Sequence, residues 1–244
     1  MKNFSLALGV ATLVAILAGC SGSNAGSQLP SPGAMQLTAY HHSDSGTRHS
    51  GPNGNPSRWV MYYYCGASDI CPKTASDFYN LVTFYLTPKR YTALLVTKDP
   101  TLVGDLTGTT LSDAVNVTVN HKTTQFGNFE YQGSPSCGGG GAAPNARFFF
   151  TTGGLFEYTH YWWSNPTSWT LAENAPTTIS QVVDSPGEWS DWNGQLGSSE
   201  MKKFASAIKN VTMVGLSFGG GCFFENGVNV SGPKNAIFNS TFTE

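Results

Sequence analysis

The chain has 244 residues, of which 15 are acidic and 13 basic, so only 11% carry charge and the formal net charge is −2. An average soluble domain is roughly a quarter charged, and this balance fits neither a disordered chain nor a basic nucleic-acid-binding surface. Aromatics at 13% together with 28 glycines suit pleated sheets joined by tight turns, so an all-β domain is expected.

At the N-terminus, Lys2 precedes an apolar run from Phe4 to Ala18. A spanning helix needs about 20 residues, so this run has the length of a signal-peptide core instead. It ends in Leu17-Ala18-Gly19-Cys20, where small residues before a cysteine let the chain enter a signal peptidase active site. The tetrapeptide resembles the lipobox of bacterial lipoproteins. The resemblance implies a signal peptide over 1–19, lipid on the sulfur of Cys20 and a mature protein anchored to the bacterial cell membrane. Two or more acyl chains on one cysteine suffice for stable anchoring, because each buried CH₂ adds about 0.8 kcal/mol of membrane affinity. Ser21 stands where an Asp would be the usual inner-membrane retention signal, so in an envelope with two membranes the outer one is favoured. An ordinary cleaved signal with an incidental cysteine is the alternative.

Residues 20–56 carry the lipidated cysteine and then a Ser, Gly and Pro-rich stretch with little to bury. Such a composition cannot offset the entropy of ordering, and it reads as a flexible tether. His41, His42, Asp44 and His49 fall inside it, but no rigid frame fixes a coordination geometry there, so no metal site is expected.

The pattern changes over 57–244 to short β-type runs separated by turn chemistry. Strands are expected near 59–65, 80–86, 91–97, 113–119, 126–132, 146–151, 158–164, 168–172, 177–183, 211–218, 222–225 and 236–243. One short helix is expected near 199–208, with Met201, Phe204, Ala205 and Ile208 on one face after a cap at Ser198 or Ser199. No strand alternates with a long helix, which argues against a parallel α/β sheet. A two-sheet β-sandwich of jelly-roll type is the expected fold.

Beyond Cys20 there are four cysteines in a chain bound for an oxidising compartment, and disulfides are the default. Cys65 and Cys71 flank a loop long enough to close on itself, which leaves Cys137 to pair with Cys222 beside glycine runs where backbones approach closely. A zinc site built from the four matches no familiar finger or ribbon spacing.

The C-terminal third is the most distinctive part: Tyr161-Trp162-Trp163-Ser164-Asn165, Trp189-Ser190-Asp191-Trp192-Asn193-Gly194, Gly215-Leu216-Ser217-Phe218-Gly219 and Glu225-Asn226-Gly227-Val228. Residues 146–243 resemble a pattern found in uncharacterised secreted bacterial proteins, and more loosely the galactose-binding-like jelly rolls that include many carbohydrate-binding modules. The resemblance implies a fold and a compartment, and it transfers no catalytic residue. Residues 215–219 also match the G-x-S-x-G nucleophile elbow, yet three glycines lead into Cys222 where a helix should follow, and no His comes after Ser217. A strand entering a glycine-rich turn is the better account.

Two functional elements remain. Glu157, Glu173, Asp184, Glu188, Asp191 and Glu225 are carboxylates suited to acid/base work on a glycosidic bond, if two of them face each other at about 5–5.5 or 6.5–9.5 Å. Trp162, Trp163, Trp189 and Trp192, interleaved with Asp191, Asn193 and Glu225, combine flat stacking surfaces with short polar groups, as a glycan site requires. Adjacent strand residues face opposite sides, so one of Trp162 and Trp163 should be core and the other available to a ligand. A turn at Ser190-Asp191 would divide Trp189 from Trp192 in the same way. The leading expectation is a tethered, non-catalytic lipoprotein that binds a polysaccharide, peptidoglycan or another envelope component, with no cofactor beyond structural calcium near Glu225. The alternatives are a structural or protein-interaction lipoprotein without a small-ligand site and a glycan-active enzyme.

Overall fold

The computed structural model describes residues 58–65, 69–78, 81–88, 90–119, 129–131, 144–165, 169–172, 175–220, 225–230 and 236–244. The expected signal segment 1–19, Cys20, the tether to residue 56, Cys137 and Cys222 lie outside them. In chain order the strands are β1 (Trp59–Tyr64), β2 (Ile70–Thr74), β3 (Ser76–Phe78), β4 (Leu81–Leu86), β5 (Thr92–Thr97), β6 (Thr110–Val119), β7 (Phe129–Tyr131) and β8 (Asn145–Thr151). They continue with β9 (Tyr161–Ser164), β10 (Trp169–Thr170), β11 (Thr177–Val182), β12 (Trp189–Asp191), β13 (Met213–Gly219), β14 (Val228–Val230) and β15 (Ala236–Thr243). One helix, α1 (Met201–Ala207), precedes β13.

The strands form the expected β-sandwich of two antiparallel sheets. The larger has the path β12-β9-β8-β13-β5-β1-β2, with β10 beside β8, β14 beside β5 and β7 beside β14; the smaller has the order β11-β6-β15-β4-β3. The chain passes repeatedly between sheets, for example from β2 to β3, β5 to β6, β11 to β12 and β14 to β15, so most neighbours in a sheet are distant in sequence.

In the smaller sheet, hydrophobic alternation sets which face is buried. β15 buries Ala236, Phe238, Ser240 and Phe242 and turns Ile237, Asn239 and Thr241 outward, as a period of two requires when one face meets a core and the other meets water. Aromatic rings fill the space between the sheets: Phe84 stacks on Phe238 at 4.7 Å, Trp59 lies 5.2 Å from Phe242, and Phe150 meets Trp189 at 4.9 Å. Rings at such separations add edge-to-face or offset attraction to the area they bury.

The larger sheet behaves differently. β5, β9 and β13 are buried at every residue, on both faces. A run without alternation requires a second apolar layer on the outer side of the sheet. That layer carries the candidate site.

Several elements differ from expectation. β2, β3, β12 and β14 are too short or too polar to show a clear period of two, and pairing to longer neighbours defines them. The segment expected as a strand from 158 opens as a 3-10 turn, Tyr158–His160, before β9 begins. Of the strand expected at 222–225, only Glu225 is among the described residues, and it lies in a bend. The turn expected at Ser190-Asp191 comes later: β12 runs through Asp191, and the Gly194 N–H closes on the Asp191 carbonyl at 2.9 Å. At α1 the N-cap position is Glu200 rather than a serine, and no side chain caps it. Phe204 and Ile208 face the core as expected, whereas Met201 and Ala205 are exposed.

Candidate functional site

Sheet register separates the two adjacent tryptophans. β9 pairs Trp162 with Phe150 and Asp191, and Trp163 with Phe149 and Ser190. Cross-strand partners share a face, so Trp162 and its partners point into the inter-sheet core while Trp163 and its partners point outward. Trp189 belongs to the inner set, and its indole N–H donates to the Val182 carbonyl at 3.0 Å. Trp162 stands edge-on to Phe204 at 5.0 Å, with the Lys203 ammonium 5.3 Å from its ring.

Asp191 also serves the fold. Its Oδ1 accepts the backbone N–H groups of Asn193 and Gln195, each at 2.9 Å, and its Oδ2 accepts the Lys203 ammonium at 2.7 Å. Burial pushes the Asp191 carboxyl up, but Lys203 and the two N–H groups outweigh it and hold it below the usual carboxylate range. Trp162, Trp189 and Asp191 therefore work inside the domain, and Asn193 sits on the exposed turn beyond them.

The outer layer gathers the other three candidates, Trp163, Trp192 and Glu225, with aromatics that the sequence reading did not single out. Tyr161 stacks on Phe149 at 5.4 Å and lies 5.4 Å from Trp163. Tyr158 is 5.6 Å from Tyr161 and stacks on Trp192 at 6.4 Å with 20° between the ring planes. Phe156 meets Tyr62 edge-on at 5.8 Å. Phe149, Tyr161 and Trp163 are buried, whereas Tyr62, Tyr64, Phe156, Tyr158 and Trp192 are half-buried.

The segment before β9 brings Phe156 and Tyr158 onto the sheet. Phe156 has φ of +65°, a left-handed conformation that a bulky side chain adopts only where its surroundings enforce it. Two bonds enforce it: the Phe156 N–H donates to the Tyr161 hydroxyl oxygen at 2.9 Å, and the Gly154 N–H donates to Glu157 Oε2 at 2.7 Å.

Glu225 is placed by side chain–backbone clamps. Asn226 accepts the Gly220 N–H at 2.9 Å and donates to the Gly220 carbonyl at 3.0 Å. Gly227, at φ of +80°, donates its N–H to the Phe218 carbonyl at 2.9 Å; a Cβ there would be left-handed and would sit 2.7 Å from Cβ of Tyr91. The Tyr64 hydroxyl donates to the Glu225 carbonyl oxygen at 3.1 Å. The carboxyl itself is buried, and among the described residues neither of its oxygens closes a hydrogen bond of ordinary geometry. Among the described residues the Trp163 indole N–H acts on it as a donor.

Burial pushes the Glu225 carboxyl up to about 8, and the Trp163 N–H pulls the other way. The Tyr64, Tyr158 and Tyr161 hydroxyls are pushed above the ordinary tyrosine range, first by their own burial and then by the Glu225 charge. They stay neutral across the physiological range. The result is one acid in a ring of neutral aromatics, able to donate or accept a hydrogen bond when protonated and to hold a cation when ionised.

Other sequence candidates fall elsewhere. Cys65 and Cys71 form the expected disulfide beside Tyr64. The G-x-S-x-G residues lie inside β13, not on a strand-to-helix turn. Gly215 is a packing requirement, since a Cβ there would come within 1.9 Å of the Leu95 carbonyl oxygen on β5. Asp113, another buried acid, faces the inter-sheet core, where both of its oxygens accept the Ser240 hydroxyl at 2.9 and 2.8 Å. Burial pushes it up to about 7, and the bonds from Ser240 and the Thr241 N–H offset part of the rise. Among the described residues no three His, Cys, Asp or Glu side chains gather as metal ligands. The Tyr residues of the outer layer had a readable signal: Tyr62 and Tyr64, like Tyr161 and Trp163, are spaced by two and share a face. Comparison with protein-family models, with curated sequences and with solved structures returned no match to this chain.

Proposed function

We propose that this protein is a membrane-tethered, non-catalytic lipoprotein whose β-sandwich binds a glycan of the cell envelope on the outer face of the larger sheet. The observation that carries the reading is the stacked, half-buried pair Tyr158 and Trp192 beside the buried Glu225 carboxyl. Sugar rings present flat C–H faces that pack on indole and phenol, and a few polar groups then fix their orientation. Tyr158 and Trp192 offer such surfaces, and the Tyr64, Tyr158 and Tyr161 hydroxyls surround the acid that would orient a ligand. The lipobox and the tether are consistent with a domain held at a membrane surface.

The test is binding of envelope polysaccharides and peptidoglycan fragments to wild type, Trp192→Ala and Tyr158→Ala, with melting temperature measured on the same samples. Loss of about tenfold or more in affinity, with little change in melting temperature, supports the reading; about 1–3 kcal/mol is what one stacked planar ligand contributes elsewhere. Unchanged binding in both variants overturns this face as the site. Anchoring is tested separately: Cys20→Ser should leave uncleaved or soluble protein, and unaltered cleavage and membrane fractionation would refute the lipid anchor.

A further inference from the structure

We infer that the ligand of the outer aromatic face carries a cationic amine and that Glu225 receives its ammonium group. This rests on the binding-face reading above and names the chemistry of that site.

Glu225 is more than nine-tenths buried, and both carboxyl oxygens lack a hydrogen-bond partner of ordinary geometry among the described residues. A buried polar group in that condition costs free energy unless something compensates it, and an unpaired anion costs far more. The other buried acids have compensation: Asp191 has Lys203, Asp99 has Arg58, and Asp113 has Ser240. Among the described residues no Lys, Arg or His acts on Glu225. The groups that face it are Tyr64 from β1, Tyr158 from the 3-10 turn, and Tyr161 and Trp163 from β9. Tyr62 and Glu157 also act on Tyr161, and Glu157 is itself engaged with the Gly154 N–H.

A buried carboxylate with tyrosine hydroxyls around it matches an ammonium ion: the oxygens accept its N–H groups and the carboxylate neutralises its charge. A neutral hydroxyl pairs with the protonated acid, whereas an ammonium ion pairs with the carboxylate. Tyr158, one of the groups that act on Glu225, is half-buried and stacks on the half-buried Trp192. Among glycans, the matching class is an amino-sugar chain with free amines. Binding is then an exchange in which Glu225 releases its proton to solvent and the carboxylate pairs with the ammonium, so that charge in the site is conserved.

The experiment compares a tetramer of glucosamine with a tetramer of N-acetylglucosamine, and both with tetramethylammonium, on the detergent-solubilised full-length protein and its Glu225→Gln variant. The expected result is a preference of at least tenfold for the free amine in wild type, lost in Glu225→Gln. Tetramethylammonium does not titrate, so its affinity should rise by up to about tenfold per pH unit below pH 8 and level off above it, because one proton is displaced. The tyrosine hydroxyls stay neutral in that window and leave the slope to Glu225. Equal binding of the two tetramers in wild type overturns the inference and leaves the glycan reading standing. Binding of tetramethylammonium alone supports the inference and overturns the glycan reading, while no binding by any of the three overturns both. Should Glu225→Gln fail to fold, a flat pH profile in wild type still overturns the inference.

Discussion

The two faces of the larger sheet use the same residue types for different ends. On the inner face, Trp162 and Phe150 meet Phe204 of α1 and Phe150 meets Trp189, and polar groups beside them are paired: the Trp189 N–H with Val182, the Asp191 carboxylate with Lys203. On the outer face, Phe149, Tyr161 and Trp163 meet half-buried tyrosines, and the acid among them has no counter-charge among the described residues. Packing density is not what distinguishes a core from a site here. The difference is whether the polar groups enclosed by the aromatics have been given partners within the chain.

The largest expected effect breaks the inner face. Trp162→Ala or Trp189→Ala should cost about 3–5 kcal/mol in urea unfolding, because each removes a fully buried indole and leaves a cavity that neighbouring strands cannot close. A cost similar to that of Trp192→Ala would erase the distinction between the faces.

The next effect is electrostatic and involves one acid from each side of the larger sheet. Asp113 titrates at about 7 and Glu225 at about 8 in the folded domain, against roughly 4 for both in an unfolded chain. Between those limits the folded state holds protons that the unfolded state has released, so stability is full below about pH 4 for these two groups and is lost as pH rises through 7 and 8. Each should lower stability by roughly 1 kcal/mol per pH unit within its window. Asp99 and Asp191, held below the usual range, act in the opposite sense and lose their contribution as pH falls through their low folded values. Urea unfolding at several pH values should therefore show a maximum on the acid side of neutrality. Glu225→Gln and Asp113→Asn should each flatten the alkaline decline, and a profile unchanged by both would show that neither carboxyl is held protonated.

A smaller effect concerns Cys65–Cys71, which closes a short segment with a sequence separation of 6 at the β1–β2 connection. Chain-entropy reasoning gives such a short loop about 2 kcal/mol at most. Replacing both cysteines with serine should cost no more than that. It should loosen Tyr64, the neighbour of Cys65, more than any inner-face residue, which amide hydrogen exchange of β1 against β8 would resolve.

The smallest stability effect is the most informative about function. Tyr158→Ala and Trp192→Ala remove rings that are already half in water, so each should cost about 1 kcal/mol or less while changing ligand binding. A loss comparable to Trp162→Ala would assign the outer aromatics to structure alone.

Much of this molecule is written locally. Low charge, abundant glycine and β-branched or aromatic runs determine an all-β chain, and the alternation in β15 determines which of its residues are buried. The opposition of Trp162 and Trp163 follows from strand geometry alone, and Cys65 with Cys71 is close enough in sequence to pair by loop length. What local pattern could not supply was which of the two tryptophans faces in, because both faces of β9 are apolar and the period of two carries no sign when neither side meets water. That was decided by β8 and β12, whose register pairs Trp162 with Phe150 and Asp191. Glu225 is the extreme case. Its environment depends on Tyr64, 161 residues earlier, and on Tyr158, Tyr161 and Trp163 from another part of the chain. Its burial is a property of that assembled environment, and no single segment contains it.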